Sequence, residues 1–114
     1  MEEDYAYKKL KVYGKAVDYV AHVYALLKKF PKEEQYALCD QLRRAAVSIP
    51  SNIAEGMGRI SAKDRAHFIE IAYGSLLEVN CQLEIAQRLG YILSEELSKM
   101  LSGLRTSLLS TLNS

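Results

Sequence analysis

Residues 41–59 read QLRRAAVSIPSNIAEGMGR, and this stretch decides the fold. Leu38, Leu42, Ala45, Ile49 and Ile53 recur at three- and four-residue steps, the spacing of one face of a helix. Pro50 falls inside that pattern, where it removes one backbone hydrogen bond and crowds the carbonyl of Ala46. The stretch therefore predicts a helix kinked at Pro50. A full break, with a new helix capped by Ser48, is the alternative. Gly56 and Gly58 are expected to end the helix, where a left-handed residue is least strained.

Working outward, residues 8 to about 30 read as the preceding helix. Leu10, Tyr13, Val17, Val20, Tyr24 and Leu27 form one apolar line, read as the seam to the bundle. A second line, Val12, Ala16, Tyr19, Val23, Leu26 and Phe30, has the same spacing. Together they cover roughly 200° of the helix, where packing on one layer needs about 100°. The surplus needs a cover, so Val12, Ala16, Tyr19, Val23 and Leu26 are the expected oligomer interface. Pro31 suits the first turn of the next helix, with Glu33 and Glu34 at its positive end. Downstream, Ser61 with Asp64 is a capping-box start for a third helix, with Ile69, Ala72, Leu76, Val79, Leu83 and Ala86 on its seam. Leu89-Gly90 closes it. Ser94 with Glu95 and Glu96 opens a fourth helix, striped by Leu97, Leu101, Leu104, Leu108 and Leu112. The expected architecture is all-α: one domain over residues 1–114, an antiparallel up-down-up-down four-helix bundle.

With 49% apolar and 25% charged residues, the composition is that of an ordinary globular domain. No apolar run is long enough to span a membrane, and the start MEEDYAYKK is not a signal peptide, so a soluble cytoplasmic protein is expected. Cys39 and Cys81, with no CxxC pattern, read as two reduced thiols. The net charge of +1 argues for no polyanionic partner by itself. Its distribution is uneven: residues 5–32 hold seven lysines against the single acid Asp18, whereas residues 66–114 hold three basic and five acidic side chains.

On the second helix a polar line runs Gln41, Ala45, Ser48, Asn52, Glu55, and on the third a matching line runs Ile71, Ser75, Glu78, Gln82. Facing each other, Gln41, Ser48, Asn52, Glu55, Ser75, Glu78 and Gln82 would form a hydrogen-bonded network that sets register; otherwise they are solvated flanks. Gly74 and Ser75 opposite Ala45 and Ala46 would allow close backbone approach. Arg43 and Arg44 read as structural, pairing with Glu55 or Glu78, ahead of phosphate contact. The better nucleic-acid candidates are Lys8, Lys9, Lys11, Lys15, Arg59, Lys63 and Arg65, with Tyr5, Tyr7 and Tyr13 as stacking surfaces. The competing reading of these charges is a solvated face. His22 and His67 lie on different helices, and no Glu-x-x-His pair occurs, so neither a catalytic nor a metal site is expected, and no cofactor.

RRAAVSIPSNIAEGMGRISAKD, preceded by FPKEE and followed by IAYGSLLEVNCQLEIAQRLGYI, resembles the four-helix-bundle family of 23S rRNA intervening-sequence proteins from Leu10 to about Ile92. The motif residues are Arg43-Arg44-Ala45, Ser48-Ile49-Pro50, Asn52 to Gly56, Arg59, Gly74-Ser75 and Glu78. Tyr13 stands where many members carry Trp, and Ala37 where Gly is usual. The resemblance implies a bacterial cytoplasmic protein whose biochemical role is mostly unassigned. A related branch, the accessory proteins of diversity-generating retroelements, forms pentameric rings that bind nucleic acid and a reverse transcriptase, and it is more basic than this chain. The expectation is a non-enzymatic homo-oligomer, a pentamer, that associates with RNA or DNA. A structural adaptor that binds another protein is the alternative.

Overall fold

The computed structural model describes residues 10–101 and 103–113. The elements run α1 Lys11–Leu27, a single 3-10 turn Lys32–Glu34, α2 Leu38–Met57, α3 Ala62–Arg88, α4 Ser94–Met100 and α5 Leu104–Leu112. At 27 residues α3 is about 40 Å long, nearly the 44 Å long axis of the molecule, and it acts as the spine. Gln41 meets Gln82, Ser48 meets Ser75, and Gly56 meets Phe68, so each advance along α2 is matched by a retreat along α3. Lys15 reaches Ser107 and Lys29 reaches Glu96, which sets α1 antiparallel to the α4–α5 limb. This is an up-down-up-down four-helix bundle whose fourth limb is divided.

The core is one cluster. Val12, Ala16, Tyr19 and Val23 of α1 meet Leu42, Ala46, Ile49 and Ile53 of α2, Ile69 to Ala86 of α3, and Met100, Leu104 and Leu108. The expected seam holds only in part: Leu27 is buried and Leu10, Tyr13 and Val20 pack against the core, but the second line is the more deeply buried of the two. Val12, Ala16, Tyr19, Val23 and Leu26 line the chain's own core and are not an oligomer interface, whereas Val17 and Tyr24 are 43% and 41% exposed. The two lines are equally greasy, so periodicity cannot rank them. The outer line holds two tyrosines, Tyr24 exposed and Tyr13 half-buried. The inner line holds one, and its hydroxyl donates to Asn80 Oδ1 at 2.8 Å. Burial pushes the Tyr19 hydroxyl well above the ordinary tyrosine range.

The glycines also differ from expectation. Gly56 and Gly58 are not left-handed; positive φ occurs at Gly90 (85°) and Gly103 (81°). Gly56 lies inside α2, where a Cβ would stand 2.8 Å from Phe68 Cβ and 3.2 Å from the Arg65 carbonyl. Close approach of α2 and α3 is thus at Gly56 and not at Gly74, which faces open space. α2 runs through Pro50 without a break, so Ser48 is an interior residue and not a cap. Its start is at Leu38, later than Pro31 predicts, because residues 31–37 cross the end of the bundle as a tight turn. Arg43 pins that turn, donating to the Gln35 carbonyl at 3.1 Å and to Gln35 Oε1 at 2.8 Å.

Ser61 caps α3 by accepting from the Asp64 N–H at 3.1 Å. At the other end the Gly90 N–H donates to Gln87 and the Tyr91 N–H to Ala86, the paired bonds of a glycine-stopped helix. The fourth limb opens at Ser94 as expected, with Leu93 and not Ser94 in the capping position: the Leu93 N–H donates to Glu96 Oε1 at 2.8 Å. That bond first, and the ion pair with Lys29 second, hold the Glu96 carboxyl below its usual range. The expected single fourth helix is broken at Gly103. The break shifts the apolar phase by one residue, so that Met100 and Leu104 are buried while Leu101 is exposed.

Two substitutions test this packing. Gly56→Ala gains about 1 kcal/mol of helix propensity but forces a methyl against Phe68, at a cost of about 1–3 kcal/mol. Its urea midpoint should fall, whereas Gly74→Ala should raise it by about 0.5–1 kcal/mol of stability. Val23→Glu places an unpaired carboxyl in a site with 0% exposure. The helical circular-dichroism signal should be lost at room temperature; a folded species of lower mass would instead put Val23 at an interface.

Candidate nucleic-acid interface

The basic residues flagged by the sequence come from distant stretches, and the fold gathers them. Lys11 and Lys15 open α1, Arg59 follows α2, and Lys63 and Arg65 open α3. In an antiparallel bundle these three segments share one end. Lys8 and Lys9, with Tyr5 and Tyr7, lie outside the described residues. Lys11, Lys15 and Arg65 line one hollow of about 680 Å³ between α1, α3 and α5. Across it α5 contributes Thr106, Ser107, Ser110 and Thr111, a hydroxyl row that sequence reading missed. Its spacing, i, i+1, i+4, i+5, was the signal.

The five cations are not equivalent. Arg65 uses Nη1 to hold the carbonyls of Arg59 and Ile60 at 2.9 and 2.7 Å, closing the α2–α3 turn. Arg59 pairs with Glu55 Oε2 at 2.7 Å and lies 4.6 Å above the Phe68 ring. Lys15 donates to Ser107 Oγ at 3.0 Å. Lys11 and Lys63 are exposed and make no ion pair among the described residues. The lysines are thus the groups available to an incoming anion, and the arginines first hold the turn in place.

The polar lines of α2 and α3 do meet in part. Ser48 and Ser75 share a hydrogen bond at 2.8 Å, and Asn52 Nδ2 donates to Ser48 Oγ at 2.9 Å and to the Ser48 carbonyl at 2.7 Å. Gln82 Nε2 donates to Gln41 Oε1 at 3.2 Å and Glu78 Oε2 at 3.3 Å. Arg43, Arg44 and Glu55 take other partners than expected. Arg43 serves Gln35, Arg44 reaches Asp40 Oδ2 at 3.3 Å, and Glu55 is engaged by Arg59. Each of these is a shorter reach within or beside one helix than a crossing to Glu78 would be.

At the far end of the bundle the Tyr91 ring packs tilted against Phe30, with centroids 5.2 Å apart, and its hydroxyl donates to Glu34 Oε2 at 2.8 Å. That hydrogen bond raises the Tyr91 hydroxyl above its ordinary range. His22 and His67 are both exposed on separate helices, and no group of three His, Cys, Asp or Glu among the described residues could hold a metal ion. None of the helices among the described residues is long and apolar enough to cross a membrane.

A solved structure described as a protein with unknown function from the S23 ribosomal protein family of Bacteroides thetaiotaomicron VPI-5482 superposes with a TM-score of 0.82. The two are 22% identical, over 90% of this chain and 99% of that one, which shows a shared fold. By sequence, no curated protein matches the chain. The profile described as 23S rRNA-intervening sequence protein matches residues 8–113. Over nearly its full length, then, the chain belongs to the 23S rRNA-intervening sequence protein family.

Proposed function

We propose that this chain is a non-enzymatic, self-associating helical bundle that acts in the cytoplasm as an RNA- or ribonucleoprotein-associated binding module. The observation that carries the reading is the convergence of Lys11, Lys15, Arg59, Lys63 and Arg65, from three segments, on one end of the bundle. A backbone of phosphates is attracted by such an end without base-specific contacts. The family's name points the same way.

Self-association uses the outer line of α1. Tyr24 shares a shallow groove with Val47 and Ser51 of α2, and Val17 extends the apolar strip beyond it. Repeated around a closed ring, this strip would be hidden from water on every copy, and a ring of five is the assembly that the likeness to retroelement accessory proteins implies. A protein-binding adaptor is the second reading, favoured by Ile60 at 96% and Tyr36 at 95% exposure at the tips of two connections.

Filter binding of single-stranded RNA across salt concentrations separates the two readings. Three or four phosphate contacts at about −0.7 each give a slope near −2 to −3 on logarithmic axes. Absence of saturable binding at micromolar protein removes the RNA reading and leaves the adaptor. For assembly, Val17→Glu with Tyr24→Glu should reduce the mass in light scattering to that of one chain while helix content is retained. A wild-type mass in that double variant would place the interface elsewhere.

A further inference from the structure

We infer that the hollow between α1, α3 and α5 is a seat for a phosphate monoester, a group such as a nucleotide carries. Its charge is one-sided. Three cations, Lys11, Lys15 and Arg65, line it, and no carboxylate does among the described residues. Hydrogen-bond donors are in place as well. Ser110 and Thr106 are exposed hydroxyls on its α5 wall, and the Lys15 ammonium keeps two further donors beyond its bond to Ser107. Arg65 commits Nη1 to the turn, which leaves Nη2 and Nε.

Helix electrostatics at this end also favours an anion. α3 opens at this end with Asp64, as the positive end of a helix favours; α2 and α4 open at the other end with Asp40 and with Glu95 and Glu96, and the short α5 opens with no acid. α1 opens with no acid and no side-chain cap, and it carries Lys11 and Lys15 in its first five residues. Two ammonium groups at a positive helix end repel it and each other. The negative end of α5 lies nearby, but it offers only about half a charge against three full ones. A dianionic phosphate would satisfy the uncapped N–H groups and the cations together.

The hollow exceeds what a bare phosphate fills. At about 680 Å³ it is in the usual range for a small-molecule pocket. Leu10, Met57, Ala66 and Ile69 give it an apolar wall. A phosphate among the cations with a ring or chain against that wall matches this division. The phosphate can come from a free nucleotide or from the phosphorylated end of an RNA strand. The inference stands apart from the RNA reading, because either source suffices.

The test is calorimetric titration of the full chain, at constant ionic strength, with inorganic phosphate, adenosine monophosphate and adenosine. Short RNA strands with a 5′-phosphate or a 5′-hydroxyl form the second arm. Saturable binding of the monophosphate, with adenosine far weaker, is the expected result. Lys11→Gln and Lys15→Gln should each weaken it about tenfold, the loss of one charge-assisted contact. Lys63→Gln, at the same end but outside the hollow, should change it by no more than about twofold. Circular dichroism checks that each variant is folded.

No saturable heat with phosphate or the monophosphate at millimolar concentration overturns the proposal. So does an equal loss in Lys63→Gln and Lys11→Gln, the mark of a diffuse field. Preference for the 5′-phosphorylated strand identifies a strand end as the source; monophosphate binding without that preference identifies the free nucleotide. Monophosphate binding with no RNA binding at all removes the RNA reading and keeps the seat. RNA binding without monophosphate binding does the reverse.

Discussion

Where Gly56 passes Phe68, α2 and α3 come so close that a single methyl group has no room. That contact sets the depth at which the two longest helices mesh. Once it is made, the antiparallel register follows along the seam, with Ser48 against Ser75 and Gln41 against Gln82. The contact also fixes the α2–α3 turn. Phe68 takes the Arg59 guanidinium on its face, and Arg65 holds the two carbonyls that leave α2. One steric limit thus governs both the core and the placement of the basic residues at its end.

The polar contacts along that seam are of a kind that chooses among packings more than it adds stability. A hydroxyl pair or an amide pair contributes about 1 kcal/mol when made and costs about 1–3 kcal/mol when one side is left dry and unpaired. Sliding α2 by one turn against α3 would strand Ser75 and Gln82 at once. The same logic applies to Tyr19, whose hydroxyl is tied to Asn80 across the bundle. Apolar area drives the collapse, and these few polar atoms exclude its near neighbours.

Much of the fold was legible because it rests on local chemistry. Ser61 with Asp64, Leu89-Gly90 and the three-four apolar steps each announce a helix end or face without tertiary help. Three features were not. Which line of α1 lies deeper cannot be ranked by periodicity, because the two repeat at the same spacing and are equally apolar. The split of the last limb hides under a leucine repeat that runs straight across Gly103; only Met100 beside Leu101 hints at the change of phase. The role of Gly56 was mistaken for a helix stop, since a glycine that admits a neighbour and one that turns the chain look alike in a sequence. At the candidate site the cations were legible one by one, but their meeting was not, because it needs α1, α3 and α5 brought to one end. The hydroxyl row opposite them was overlooked for the same reason.

The division of the fourth limb has an effect on how this end of the molecule can behave. α5 has nine residues, too few to hold a helical shape unaided, and Leu104 and Leu108 are its buried attachments. Joined to α4 through Gly103 at φ 81°, it is a short, lightly anchored segment beside a 27-residue spine, and segments of that kind open locally at lower free energy than a buried central helix. Backbone amide protons on α5 will exchange with solvent long before those at the centre of α3. The wall carrying Ser107 and Ser110 is therefore anchored by fewer buried side chains than the α1 and α3 walls that carry the cations.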